Sequence, residues 1–144
     1  MLEAARNAIT PAGSTGGTRL IAVTVLTSMD ETELSAIGID KSPQQQVAAL
    51  AQLTIDQGLD GVVCSPQEVG LINGLASGPF LTVTPGVRPV STSVNADDQR
   101  RVMTPAEAIA AGSSYLVIGR PITQSSNPLQ TLKDIHAQIS EPTP

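Results

Sequence analysis

The chain has 144 residues, 40% of them hydrophobic and 15% charged, a length that suits one domain with a sizeable apolar core. Thirteen acids against eight bases give a formal charge of −5, which disfavours a protein that binds nucleic acid over its whole surface. No run approaches the roughly 18 to 20 apolar residues needed to cross a bilayer, and the start, Met1-Leu-Glu-Ala-Ala-Arg6, has no basic region followed by an apolar core. A lone Cys64 cannot close an internal disulfide, and a lone His136 cannot build a His/Cys metal site. With no Trp, one Tyr and one Phe, the core must be aliphatic, and platforms for stacking bases are missing. The expectation is a soluble, cytoplasmic, metal-free chain with no nucleic-acid or membrane partner.

A first helix begins at Leu2. Leu20 to Val25 (LIAVTV) is uncharged and β-branched, which predicts a buried strand. Pro43 to Gln57 predicts a helix with Val47, Leu50, Leu53 and Thr54 on one stripe. Gly61 to Cys64 (GVVC) predicts a second strand, and Ser65-Pro66 opens a helix to about Leu75 with a cap residue and a first-position proline. Leu81 to Thr84 (LTVT) predicts the third strand. Thr104-Pro105 repeats the opening device ahead of Ala106 to Ala111, with Gly112 as the stop. Tyr115 to Ile118 (YLVI) predicts the fourth strand, and Asn127-Pro128 opens a last helix over Leu129 to Ile139. Ser140 to Pro144 reads as a frayed tail.

Strands alternating with helices imply right-handed βαβ units and a parallel sheet. A complete (β/α)₈ barrel takes about 250 residues, so four strands amount to half of one. The alternative is a four-stranded doubly wound domain with a ligand crevice at a reversal of strand order. A Gly-rich phosphate loop after the first strand would support it, but Thr24-Val-Leu-Thr-Ser-Met29 stands there.

In a parallel barrel, function sits at the carboxyl ends of the strands, with phosphate after the last two. Here those two ends read Pro85-Gly-Val-Arg-Pro89 and Gly119-Arg-Pro-Ile122. Gly119 lets backbone approach a ligand, and Arg120 offers a planar fork that matches a phosphate. Arg88, Arg100, Arg101 and Arg120 are half of the eight basic residues, which suits a local anionic pocket. The plainer reading makes them surface charges paired with Asp97, Asp98 and Glu107. Val90 to Asp98 reads either as a loop that closes over a ligand or as plain surface, with Gln99 at its end in reach of a phosphate or a ring amide. Cys64 reads as a small buried hydrophobe and His136 as a surface residue. Neither Lys41 nor Lys133 follows a strand, so no lysine is placed for acid or Schiff-base chemistry.

Ala22-Val-Thr-Val-Leu-Thr-Ser28, Asp60-Gly-Val-Val-Cys-Ser65, Val83-Thr-Pro-Gly-Val-Arg-Pro89, Asp98-Gln-Arg-Arg101, Met103-Thr-Pro105 and Val117-Ile-Gly-Arg-Pro-Ile122 together resemble the second half of the bacterial orotidine 5′-phosphate decarboxylase family. The resemblance implies strands five to eight of a (β/α)₈ TIM barrel over residues 1–144. It also implies a homodimer that converts orotidine monophosphate to uridine monophosphate, in pyrimidine nucleotide synthesis, without metal or organic cofactor. Carried over by position, Thr27 contacts the pyrimidine and Pro85 walls it. Arg88 and Gln99 bracket the phosphate lid, with Gln99 spanning towards phosphate and base, and the Gly119 backbone and Arg120 side chain hold the phosphate. The family's catalytic Asp-x-Lys-x-x-Asp segment and the lysine that aids it have no counterpart in the 144 residues. The expectation is therefore a fragment that grips substrate and lacks the chemical step. Two alternatives stand beside it. One is a stand-alone half-barrel that holds phosphorylated ligands or self-associates through open sheet edges. The other is a different phosphate-binding barrel, such as hexulose-phosphate synthase or ribulose-phosphate epimerase, against which the Asp-Gln-Arg-Arg run argues. Separate roles for Arg100 and Arg101 stay open, one of them serving as an ion-pair partner for the lid.

Overall fold

The computed structural model describes residues 1–9, 17–89 and 101–140. Within them, strands β1 (Ile21–Val23), β2 (Gly61–Val63), β3 (Leu81–Thr84) and β4 (Tyr115–Leu116) form one parallel sheet in the order β1-β2-β3-β4. Around it run α1 (Leu2–Ile9), α2 (Glu31–Ala36), α3 (Pro43–Asp56), a 3₁₀ turn (Pro66–Glu68) leading into α4 (Val69–Leu75), α5 (Pro105–Ala110), α6 (Arg120–Thr123) and α7 (Pro128–Ser140). Right-handed crossovers that always step in the same direction put their helices on one face of the sheet. The strand order has no reversal, so the doubly wound alternative is excluded.

The register explains which side chains form the core. Ala22, Val62 and Thr82 share one row, and Val23, Val63, Val83 and Tyr115 share a row of opposite parity. Val62 and Thr82 are fully buried, whereas Val23 and Tyr115 are each 59% exposed. From that row Val62 packs into an aliphatic cluster with Val25, Leu34, Val47, Ala51, Cys64, Val69 and Ile72. The polar atoms of the β3 threonines are also accounted for: Thr84 Oγ1 lies 3.1 Å from the Tyr115 carbonyl, and the Thr82 hydroxyl accepts from the Ser114 N–H at 3.1 Å.

Several expectations need correction. Ladder bonds continue past the short strands, as in Thr24 N–H to the Val63 carbonyl (3.1 Å) and Val117 N–H to the Thr84 carbonyl (2.9 Å), yet regular pairing ends before residues 25 and 118. Helices α2 and α6 go unannounced, because six and four residues are too few to show a stripe. A capping box between Asp30 and Glu33 starts α2, with the Asp30 carboxylate accepting the Glu33 N–H at 3.0 Å. On α3 the buried residues are Val47, Ala51 and Thr54, and Leu53 turns out to be 49% exposed. It rotates towards Met1, Leu2 and Val23, around a cavity of about 420 Å³ between α1, β1 and α3. Helix α7 takes in Ser140, one residue beyond its expected end, and residues 141–144 lie outside the described part.

The amino end of the sheet is tied down by charge. Asp60, just before β2, accepts from Arg6 of α1 at 2.8 Å, from Arg19 at 3.3 Å and from the Leu20 N–H at 2.8 Å. These bonds, led by the one from Leu20, hold its carboxyl below the usual carboxylate range. Among the described residues no helix is long and apolar enough to cross a membrane. Nor is any group of three or more His, Cys, Asp or Glu gathered as a metal would need.

Candidate ligand site at the carboxyl ends of the strands

Parallel pairing brings Leu26-Thr27, Cys64-Ser65, Pro85-Gly86 and Gly119-Arg120 to the same side of the sheet. Thr27 is only 2% exposed and abuts the next-but-one strand end. A Cβ on Gly86 would stand 2.9 Å from Thr27 Cγ2 and 3.1 Å from the Arg101 carbonyl oxygen. Gly86 also has φ +77°, so both conformation and space call for glycine there. Its neighbour Pro85 is half-buried.

Beyond Gly86 the chain makes a short parallel bridge, Val87 to Met103, which links the β3 end to the start of α5. The Arg88 N–H donates to the Met103 carbonyl at 2.9 Å, and the Arg88 guanidinium reaches the Val87 carbonyl at 3.0 Å. Gly119 is exposed and caps α6 with backbone alone, and Arg120 is the first residue of that helix, half-buried. Thr27, Pro85, Arg88, Gly119 and Arg120 therefore share one end of the sheet. Gln99, with Arg100, Asp97 and Asp98, lies outside the described residues.

Arg101 takes up a position that neither reading of the arginine cluster anticipated. Its guanidinium pairs with Glu68, which is 1% exposed, and donates to the Leu26 carbonyl at 2.9 Å and the Val25 carbonyl at 3.3 Å. Burial pushes the Glu68 carboxyl up, and Arg101 and Ser65 pull it back only in part. Glu107, the proposed surface partner, is engaged elsewhere: it accepts the Thr104 N–H at 2.8 Å in the capping box of α5. Sequence reasoning missed Glu68 because Ser65-Pro-Gln-Glu68 has the spacing of a capping box, whose glutamate is ordinarily exposed. Nothing in that spacing reports an arginine 33 positions later.

Cys64 is buried, and burial with the nearby Glu68 charge pushes its thiol up to about 12. It packs as a small hydrophobe and has no thiolate to offer as a nucleophile. The cavity beside α1 is lined by none of the predicted ligand residues. A second cavity of about 400 Å³, between α3 and the Pro66–Leu75 stretch, is lined by glutamines with Ala48, Glu68 and Leu71, and likewise by none of them.

The profile of the Orotidine 5′-phosphate decarboxylase / HUMPS family matches residues 1–135. Orotidine 5′-phosphate decarboxylase of Pseudoalteromonas translucida is 53% identical over 139 residues, covering 96% of this chain and 58% of the relative. Its namesake from Haemophilus influenzae is 54% identical over 139 residues, covering 96% and 59%. Among solved structures, orotidine 5′-phosphate decarboxylase from Lactobacillus acidophilus superposes with a TM-score of 0.74 at 34% identity, covering 98% of this chain and 58% of that one. The namesake from Pyrococcus horikoshii shares the fold, with a TM-score of 0.60 at 17% identity, covering 85% and 51%. The four strands are thus an arc of a (β/α)₈ TIM barrel, and the chain spans less than two thirds of the length of the curated relatives it matches.

Proposed function

Because the chain belongs to the Orotidine 5′-phosphate decarboxylase / HUMPS family, we propose that it supplies the substrate-gripping side of an enzyme that converts orotidine monophosphate to uridine monophosphate in the cytoplasm. The observation that carries this reading is 53% identity along 139 residues to a relative named for that reaction. The named relatives also favour it over a synthase or an epimerase on the same barrel.

In this reading the Gly119 backbone and the Arg120 guanidinium hold the phosphate, flanked by Arg88 at the β3 end and by Gln99. Thr27 and Pro85 meet the pyrimidine. A phosphate that does not react still contributes: its binding energy holds the closed site together and so stabilises the transition state. The chemical step needs a lysine that protonates the ring carbon and carboxylates that destabilise the departing group. No Asp-x-Lys-x-x-Asp occurs in the 144 residues. Those groups belong to further sequence of the family and to the second subunit of its homodimer. The 144 residues by themselves bind and do not turn over, and the reading takes no metal or organic cofactor.

Titration calorimetry of the purified chain with uridine monophosphate tests the grip. Arg120→Ala should weaken binding about tenfold or more, as loss of a charge-assisted contact does, and an unchanged affinity would remove Arg120 from the site. Loss of orotidine monophosphate absorbance in the presence of the chain alone would overturn the separation of grip from chemistry.

A further inference from the structure

Three strand ends converge on one residue. The Arg101 guanidinium reaches the carbonyls of Val25 and Leu26, the last two residues before Thr27. Its backbone carbonyl lies 3.4 Å from Ser65 Oγ, after β2, and closes against Gly86, after β3. Glu68 fixes the guanidinium from below, fully buried, on the 3₁₀ turn that follows Ser65.

A buried carboxylate is an expensive way to brace a fold. An apolar pair of the same volume is often at least as stabilising, because it needs no desolvation of charge. An ion pair does provide direction: the guanidinium is a rigid planar fork whose donors reach several acceptors only in one orientation. With Glu68 holding one terminal nitrogen, the other terminal nitrogen reaches the carbonyls of the two successive peptides, Val25-Leu26 and Leu26-Thr27, that lead into Thr27. Thr27 is then pressed against Gly86 and has little freedom of its own.

We propose that Glu68 and Arg101 are a positioning pair for recognition of the pyrimidine, locking Thr27 in register with the Pro85-Gly86 wall. The proposal rests on the reading of Thr27 and Pro85 as base contacts. It assigns to Arg101 a role apart from the phosphate-binding arginines, although it belongs to the same basic cluster in sequence.

The test compares two probes on the full 144-residue chain, uridine monophosphate and ribose 5-phosphate, with Glu68→Gln and Arg101→Lys as variants. Gln keeps the shape of Glu68 without its charge, and Lys keeps the charge of Arg101 without the fork. Each should weaken uridine monophosphate about tenfold, the loss of one well-aligned polar contact, and leave ribose 5-phosphate unchanged. Equal losses for both probes, or none for either, would overturn the proposal in favour of a simple brace. Amide hydrogen exchange of the ligand-free chain decides independently of binding. Thr27 and Ser28 should exchange faster in Glu68→Gln while Val62 in β2 keeps its protection; uniform acceleration, or no change, sinks the idea. If the unaltered chain binds neither probe, the proposed function fails, and the exchange result still judges the pair. Should Arg101→Lys not fold, Glu68→Gln carries the test.

Discussion

Replacing Gly86 by alanine should destabilise the fold by about 1–4.6 kcal/mol, centred on about 3, and the figure separates into parts that a control can isolate. At φ +77° an added Cβ meets the left-handed penalty of about 1–2 kcal/mol. The Cβ would also come to 2.9 Å from Thr27 Cγ2 and 3.1 Å from the Arg101 carbonyl oxygen. Neither neighbour can simply swing away: Thr27 is buried, and the Arg101 carbonyl is backbone whose side chain is pinned by Glu68. Such crowding costs about 1–3 kcal/mol. Alanine also restricts the unfolded chain, which returns about 0.4–1 kcal/mol.

Gly38 supplies the control. Its φ is +83°, and nothing lies within 4 Å of where its Cβ would stand. Gly38→Ala therefore incurs the conformational penalty and the unfolded-state gain without the crowding, and should cost only about 1 kcal/mol. Urea unfolding of both variants, followed by circular dichroism, measures the difference through the midpoints provided the slopes agree. Equal destabilisation of the two would refute the close approach of Thr27 to Gly86 beyond the carboxyl ends of the strands.

Asp60 gives a pH-dependent prediction. Its carboxyl is held below its ordinary value, so its contribution is present above the unfolded carboxylate pKa, about 3.9, and is lost as pH falls through the lower folded value. Asp60→Asn should cost about 1 kcal/mol at neutral pH, most of it from the Arg6 and Leu20 bonds since Arg19 is largely exposed. It should also flatten the acid limb of a stability–pH curve, and an unaltered limb would count against the network. Cys64, with its thiol near 12, should resist a chromogenic aromatic disulfide at pH 8 in native buffer and react only as fast as the core opens. Rapid labelling that ignores urea would show that the β2 end is not closed.

Much of this fold could be read from residue order. Four β-branched runs separated by capped helices require a parallel sheet, and Ser-Pro, Thr-Pro and Asn-Pro pairs marked three helix starts, all of them within two residues of the observed elements. What escaped was set by distance along the chain or by brevity. Helices α2 and α6 are too short for periodicity to register, and Leu53 leaves its expected stripe because α1 and β1 offer it a second apolar surface. The site divides in the same way. Gly119 and Arg120 stand out in the sequence because they follow the uncharged run Tyr115 to Ile118, although the strand there is part-exposed, with Tyr115 59% accessible. The Glu68–Arg101 contact does not, because local spacing gives Glu68 a sufficient reason of its own and leaves Arg101 in a cluster that looks uniformly phosphate-directed.

The two ends of the sheet are stabilised by the same chemistry to different ends. At the amino end, Asp60 gathers two arginines and an N–H around α1 and β1, and no predicted ligand residue stands there. At the carboxyl end, Glu68 and Arg101 spend a buried ion pair on carbonyls that lead straight into Thr27. In parallel barrels the amino face serves stability and the carboxyl face serves function, and the proposed grip at Arg120 would keep the two apart in this arc. Asp60→Asn should therefore lower stability without touching nucleotide affinity, while Arg120→Ala should do the reverse. Their effects should add in the double variant, since the two sites share no partner and sit at opposite strand ends. Coupling between them would mean that the grip depends on strain carried through the strands, and the separation of stability from binding along the sheet would fall.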